Sequence, residues 1–210
     1  VDVSIVICTF GDRTWQRLAR ERALPSAEAQ GVPVGVFHAE TLADARNEAL
    51  ADCDTPWIIF VDADDEIEPG YCEAMLAGHG DVRAPSVRRV KPDGRAKRRT
   101  YMPRVYNHSH VCRGDCLPLG NWCCCGSMAR VDLLKEAGGW WDEDIYEDWS
   151  LWLRCWKVGG DIQPCFDAVY RYWESPNNRN GSLPPAERDE WHWKIHDSIM
   201  SRSEFSADAA

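Results

Sequence analysis

Val3 to Thr9, VSIVICT, is a continuous apolar and β-branched run, the pattern of a strand buried on both faces. Arg13 to Gln30 is rich in helix formers, with an apolar stripe at Trp15, Leu18, Ala19 and Ala23; Pro25 is expected to break or kink it. Val34 to Phe37 predicts a short second strand. Thr41 to Ala51 predicts an Ala/Leu-rich helix, with Thr41 and Asp44 as a capping pair. Trp57 to Val61, WIIFV, predicts a third buried strand that ends in Asp62-Ala63-Asp64-Asp65, and Pro69 to Ala77 predicts a helix after it. Alternating strands and helices argue an open α/β sheet. Ligands of such sheets bind beyond the carboxyl ends of the strands. Thr9, Phe10, His38 and Asp62 would lie on that rim. Gly11 stands alone after the first strand, which disfavours a dinucleotide fingerprint or a P-loop.

The second half has a different rhythm. Val82 to Val90 and Arg95 to Val105 flank Lys91-Pro92-Asp93-Gly94, a hairpin signal. Val131 to Ala137 predicts a short helix stopped by Gly138-Gly139, and Glu147 to Val158 a second, stopped by Gly159-Gly160. Val169 to Trp173 reads as a strand, Pro176 to Ser182 as a polar loop, and Pro184 to Met200 as a terminal helix with a frayed end. No internal repeat is evident.

Composition bounds the answer. With 210 residues, 44% hydrophobic and 28% charged, the chain suits one globular domain with a small appendage, and collagen-like or low-complexity classes are excluded. No apolar run approaches the ~20 residues that span a bilayer. Val1 leads directly into a strand, so no signal peptide is expected. The 10 Cys include the consecutive Cys123, Cys124 and Cys125, which suit reduced, buried thiols in a cytosolic setting better than a disulfide framework. The net charge of -10 hides an asymmetry. Arg83 to Arg104 holds nine basic residues against one acid, Asp93, a local +8 that leaves -18 on the remainder. A local anionic partner fits that pattern; coating of nucleic acid over the whole surface does not.

Two segments carry chemistry. In VDADDE, Val61 to Glu66, a buried strand ends in clustered carboxylates, which repel one another unless a cation sits among them. Mg²⁺ commonly takes one or two carboxylates and completes its shell with substrate phosphates. The plainer reading is an acidic turn capping the next helix. In GGWWDEDIYEDWSLWLR, Gly138 to Arg154, Glu147 and Asp148 open a helix whose positive end is expected to favour their anions. A fixed, ionised carboxylate can take a proton from an attacking hydroxyl. Trp149, Trp152 and Trp156 recur at helical spacing, as core packing or as a platform for a sugar or base.

Taken together, these pieces resemble the family 2 inverting glycosyltransferases of the GT-A fold, over roughly Val3 to Ser182. VSIVICTF resembles the family's opening strand, Ala45-Arg46-Asn47 its "ARN" element, Asp62 to Asp65 its "DADD", and GGWWDEDIYEDWSLWLR its "GGF…ED..L..R" segment. The resemblance implies one α/β domain over residues 1–183, with an open, mostly parallel sheet flanked by helices and a basic hairpin. Residues 1–80 would form the nucleotide-sugar half and 81–183 the acceptor and catalytic half, before a C-terminal helix and tail at 184–210. It implies a nucleotide-sugar donor, usually a UDP-sugar, with Mn²⁺ or Mg²⁺ on its diphosphate. Asp64 would be the direct metal ligand, with Asp62 near the ribose or metal. Asp148 would be the catalytic base, and Glu147 would support it or contact the acceptor. Thr9, Phe10 and His38 would belong to the donor rim, with Arg46 near the diphosphate.

The sequence departs from the family pattern at two places. The acidic "DDGS"-type turn after the second strand is replaced by VFHAETLADARN, leaving His38 or Glu40 to substitute. The His that follows the penultimate strand in many relatives is absent from VYRYWESPNNRNGS, leaving Glu174, Asn177 or water to complete a metal shell. The rival readings are a sugar- or nucleotide-binding module without turnover, and a nucleotidyltransferase. For the acceptor, Arg95, Arg98, Arg99 and Trp149 are the candidate contacts. The basic hairpin would suit a modified base in DNA or an acidic protein or glycan, or serve only as a solvated flap. The compact, Cys-rich build is similar to phage-encoded transferases, which would place the chain in a host cytoplasm. His108, His110, Cys112, Cys116 and Cys123 to Cys125 gather soft ligands in a spacing that matches no standard zinc finger; a structural Zn²⁺ and buried thiols are the two readings.

Overall fold

The computed structural model describes residues 2–97, 105–106, 110–111, 117–118, 120–175 and 183–202. The chain opens with β1 (Val3–Phe10), then α1 (Arg13–Leu18), a π-helical turn (Ala19–Ala23) and α2 (Leu24–Glu28). Pro25 does not break this stretch as expected. Proline lacks the N–H that an α-helical bond needs and crowds the carbonyl four residues before it; a wider turn immediately upstream lets the helix continue. Next come β2 (Val34–Ala39), α3 (Leu42–Ala51), β3 (Trp57–Asp62), β4 (Glu66–Ile67), α4 (Tyr71–Ala77) and β5 (Val82–Val90). Thr41 caps α3 as expected, its hydroxyl accepting from the Asp44 N–H at 3.1 Å. The remaining elements are β6 (Val105–Tyr106), β7 (His110–Val111), β8 (Met128–Arg130), α5 (Val131–Glu136), α6 (Glu147–Lys157), β9 (Ile162–Trp173) and α7 (Pro185–Met200).

The main sheet has the order β2-β1-β3-β8-β5-β9-β4. β2, β1 and β3 are parallel, as are β5 and β9, while β8 runs antiparallel between β3 and β5 and β4 antiparallel on the edge of β9. Alternate side chains along β1 and β3 enter two separate cores. Val6, Cys8, Ile58 and Phe60 face α3, α5, α6 and α7. Ile5, Ile7, Ile59 and Val61 face the π turn, α2 and α4. At β1 and β3 the sheet is therefore buried on both faces, which is why these two strands read as unbroken apolar runs. Trp149 and Trp152 lie in the first of these cores.

At the expected hairpin, a turn closes Lys91 to Arg95 and Val90 bridges Ala96. The second arm beyond Lys97, with Arg98 and Arg99, falls outside the described residues, as do the loop 176–182 and His108, Cys112 and Cys116. β4, β7 and β8 were not predicted, and β9 was expected only over Val169 to Trp173. β8 is three residues long, too short for a periodicity signal. β9 begins seven residues before its expected start because its pairing with β5 skips at Pro85/Ser86, which breaks the alternation.

Gly126 shows how tightly the rim is packed. Its φ is +95°, and a Cβ there would stand 2.3 Å from the Tyr170 ring, while its carbonyl accepts from the Tyr71 hydroxyl at 2.7 Å. Gly126→Ala is therefore expected to destabilise the fold by about 2–4 kcal/mol, from strained backbone and an overlapped ring together. Chemical denaturation of both proteins checks this, and an unchanged midpoint would contradict the packing described.

Candidate active site

At the carboxyl end of β3 the chain turns through Asp62 to Asp65, closed by the Asp65 N–H on the Asp62 carbonyl at 3.0 Å, and returns as β4. Asp62 Oδ1 accepts from Arg46 Nη2 at 2.8 Å and from the Cys125 thiol at 3.2 Å. The Asp62 N–H donates to the Tyr170 hydroxyl at 3.2 Å. Arg22, on the π turn, donates to the Asp64 carbonyl at 3.1 Å and lies 4.4 Å over the Trp173 ring. Asp65 is buried and accepts from the Trp173 N–H at 2.8 Å. Burial and the adjacent Asp62 charge push the Asp64 carboxyl up to about 6. Crowding of this kind is what a bound cation relieves.

Arg46 reaches this turn from α3. Its side chain is only 2% exposed, lies 4.1 Å over the Trp140 ring, and sends Nη1 to Glu147 Oε1 at 3.2 Å. Asn47, the next residue, clamps the backbone of Trp140, accepting from its N–H and donating to its carbonyl, both at 2.8 Å. A Cβ at Gly139 would stand 2.6 Å from Asn47 Oδ1, so the residue before Trp140 has to be small. The Arg46-Asn47 pair thus joins α3 to the segment that leads into α6.

Asp148 lies in the first turn of α6, behind Tyr146 in a left-handed conformation at φ 60°. Its Oδ1 accepts from the Trp149 N–H at 2.7 Å and from Asn121 Nδ2 at 3.0 Å. The helix end was expected to favour the anion. Instead, burial, with Glu147 beside it, raises the Asp148 carboxyl to about 7 and outweighs the two hydrogen bonds. A carboxylate with that proton affinity is a stronger base than an exposed aspartate.

Asp62, Asp64, Glu147, Asp148 and Phe10 line one cavity of about 440 Å³. Trp15, stacked on Phe10 with ring centroids 5.9 Å apart, lines it too, as do Tyr172, Trp173, Cys124, Arg89 and Arg188. Sequence reading did not reach Asn121, the aromatic wall of β9 or Arg188. Their only signal is position in three dimensions.

Other expected residues lie elsewhere. Thr9 is buried, with its hydroxyl donating to the Phe37 carbonyl at 3.2 Å and 3.0 Å from His38 Nδ1, so it ties β1 to β2. His38 and Glu40 are exposed and do not line the cavity. Arg46 supports the cavity from beneath its wall. Trp149 is fully buried, donates its indole N–H to the Leu117 carbonyl at 2.9 Å and stacks on His192 at 4.2 Å, so it offers no face to an acceptor. Glu174 is held by Lys97 at 2.5 Å and Arg89 at 3.6 Å and does not itself line the cavity. Arg95 pairs with Asp93 at 2.7 Å and Arg88 with Glu68 at 2.6 Å, so much of the basic stretch is answered by the chain's own acids.

The oxygen donors of Asp62 and Asp64 fit a hard divalent cation that shares its shell with water and substrate phosphates. Among the described residues no group of three or more His, Cys, Asp or Glu side chains forms a closed metal cage. Cys123 and Cys125 are buried, Cys123 beside Ser127 at 3.2 Å and Cys125 against Asp62.

The fold is similar to that of Staphylococcus aureus TarS residues 1–349, solved with UDP-GlcNAc (TM-score 0.64, 14% identity, covering 99% of this chain and 69% of that one). The UDP complex of the same protein matches with a TM-score of 0.56 at 15% identity, over 97% of this chain and 73% of that one. GalNAc-T7 with UDP, GalNAc and Mn²⁺ matches with a TM-score of 0.52 at 14% identity, over 93% of this chain and 47% of that one. No curated protein sequence matches closely enough to count as a relative. The glycosyl transferase family 2 model matches residues 4–137, well over half of the chain and the whole stretch from β1 through the DADD turn to the end of α5. With that match and the shared architecture, the chain belongs to glycosyl transferase family 2 and is a glycosyltransferase of the GT-A fold.

Proposed function

We propose that the cavity transfers a sugar from a UDP-sugar to an acceptor hydroxyl with inversion, and that Asp148 is the general base. The observation that carries this reading is the placement of two carboxylate sets, Asp62 with Asp64 and Glu147 with Asp148, on one cavity. The structures similar in fold were solved with UDP-GlcNAc, with UDP, and with UDP, GalNAc and Mn²⁺, which supports the donor class and the use of a divalent cation.

In this reading the Phe10–Trp15 stack forms part of the wall for the nucleoside. Mn²⁺ or Mg²⁺, held by Asp64 and Asp62, would offset charge on the leaving diphosphate. Arg46 fixes Asp62 through Oδ1. Asp148, oriented by Asn121 and the Trp149 N–H, accepts the proton from the acceptor hydroxyl as the oxygen attacks the anomeric carbon. A single displacement inverts that carbon without a covalent enzyme intermediate, unlike the paired carboxylates of retaining glycosidases. The donor carboxylates then fall within residues 1–80 and the base within 81–183. A nucleotidyltransferase would place a nucleotide on the product and a binding module would give none, so mass analysis of the product separates the three.

Asp64→Ala is expected to abolish metal-dependent hydrolysis of the donor with the circular dichroism spectrum unchanged, because Asp64 stands on the rim. Full turnover in excess chelator, or in the variant, would remove the metal assignment. Asp148→Asn should lower transfer by ~10²–10⁴ while UDP affinity barely changes. A large loss of UDP affinity with transfer retained would make Asp148 a donor-site residue.

The proton affinity of Asp148 sets two pH dependences. Transfer should rise as pH passes about 7 and the base loses its proton. Because the folded-state value lies above the ordinary 3.8, the folded state prefers the protonated acid; that stabilisation is complete below pH 3.8 and lost as pH rises through about 7. Asp148→Asn should therefore melt higher than wild type at pH 8 and close to it at pH 4. The reverse order in thermal scans would contradict the burial of this carboxyl.

A further inference from the structure

Among the described residues, Arg89 and Arg188 bring guanidinium groups to the cavity. Arg89 has Glu174 at 3.6 Å. Arg188 differs: it is half-buried, its Nε is out of contact with solvent, and among the described residues that atom has no hydrogen-bond partner. A guanidinium N–H that no described residue answers at a partly desolvated wall is costly unless a ligand oxygen answers it.

The packing of α7 shows which end of the cavity Arg188 serves. His192 stacks on Trp149 near the start of α6, while Lys157 at the end of α6 donates to the Ile199 carbonyl at 2.9 Å. The two helices therefore run in the same direction. Arg188 precedes His192 by one turn on the same face, which carries it to the N-terminal end of α6, beside Tyr146 and on the side of Asp148. Asp62 and Asp64 come from β3, a different wall. Arg188 also lies beyond residues 4–137, the span of the family match.

We propose that Arg188 is an anion-binding residue of the acceptor half of the cavity, and that the acceptor carries a phosphate or carboxylate close to the hydroxyl that receives the sugar. The proposal rests on the reading of Asp148 as the base, since that places the acceptor at this end. Guanidinium groups recognise phosphate and carboxylate oxygens through paired N–H donors, which a lysine cannot reproduce. Such a contact would hold the acceptor by its charge and leave its hydroxyl to Asp148.

The test is calorimetric and uses methyl phosphate and acetate as probes on the full chain saturated with UDP and Mn²⁺. Wild type should bind at least one probe, and Arg188→Gln should weaken that binding by about tenfold or more with UDP affinity unchanged. Arg188→Lys, which keeps the charge and checks against misfolding, should fall between the two. Equal probe binding by wild type and Arg188→Gln, or no binding by either, would overturn the proposal. So would a tenfold loss of UDP affinity in Arg188→Gln, which would assign Arg188 to the donor diphosphate. Failure of wild type to bind UDP at all would instead remove the glycosyl-transfer reading beneath it.

Discussion

A single buried guanidinium joins the two carboxylate sets of the candidate site. Arg46 bridges Asp62, at the end of β3, and Glu147, at the start of α6, residues 85 positions apart in sequence. At 2% exposure it has almost no access to water, so its charge depends on those two carboxylates and on the Trp140 ring. Removing one partner of such a pair leaves the other charge buried and typically costs about 3–5 kcal/mol. The DADD turn and the Glu147-Asp148 element, which line one cavity, are thereby linked through one buried charge.

The same packing that orders the site raises the cost of its chemistry. Burial holds protons on Asp148 and Asp64 that an exposed carboxyl would release near pH 4. For Asp148, in the proposed reading, the result is a base poised near neutral pH. For Asp64 it is a carboxylate that gains from a cation. The surrounding groups limit the strain: Asn121 and the Trp149 N–H hold Asp148, Arg22 holds the Asp64 carbonyl, and the Cys125 thiol shares Asp62 with Arg46. Burial pushes the Cys125 thiol up as well, so it stays protonated and can donate.

Much of this was legible in the sequence where a local rule governs. Continuous apolar runs marked β1 and β3 because both faces of the sheet are covered. Thr41 marked the start of α3 because its hydroxyl has a helical N–H to satisfy. The acidic ends of β3 and of the GGWW segment marked carboxylates that the fold brings to one cavity, because clustered like charges stand out as costly unless they are answered. Long-range relations were not legible. Thr9 reads as a rim residue, yet its hydroxyl is consumed between strands. Trp149 reads as core or as platform, and its full burial, its bond to Leu117 and the stack with His192, 43 residues on, decide for the core. Asn121 sits in an undistinguished loop and becomes an orienting group through a contact 27 residues away. The basic stretch looked like an open patch because Glu68 and Glu174, which answer Arg88, Arg89 and Lys97, lie far from it in sequence.

Hydrogen exchange on Arg46→Lys tests the link most directly. A lysine retains the positive charge but cannot reach both carboxylates with separate N–H groups. If Arg46 couples the two carboxylate sets, amide exchange should speed up at the Asp62–Asp65 turn and at residues 146–149 together, while β1 and β2 keep their protection. Faster exchange on one side alone, or at neither, would show that the two carboxylate sets are positioned independently.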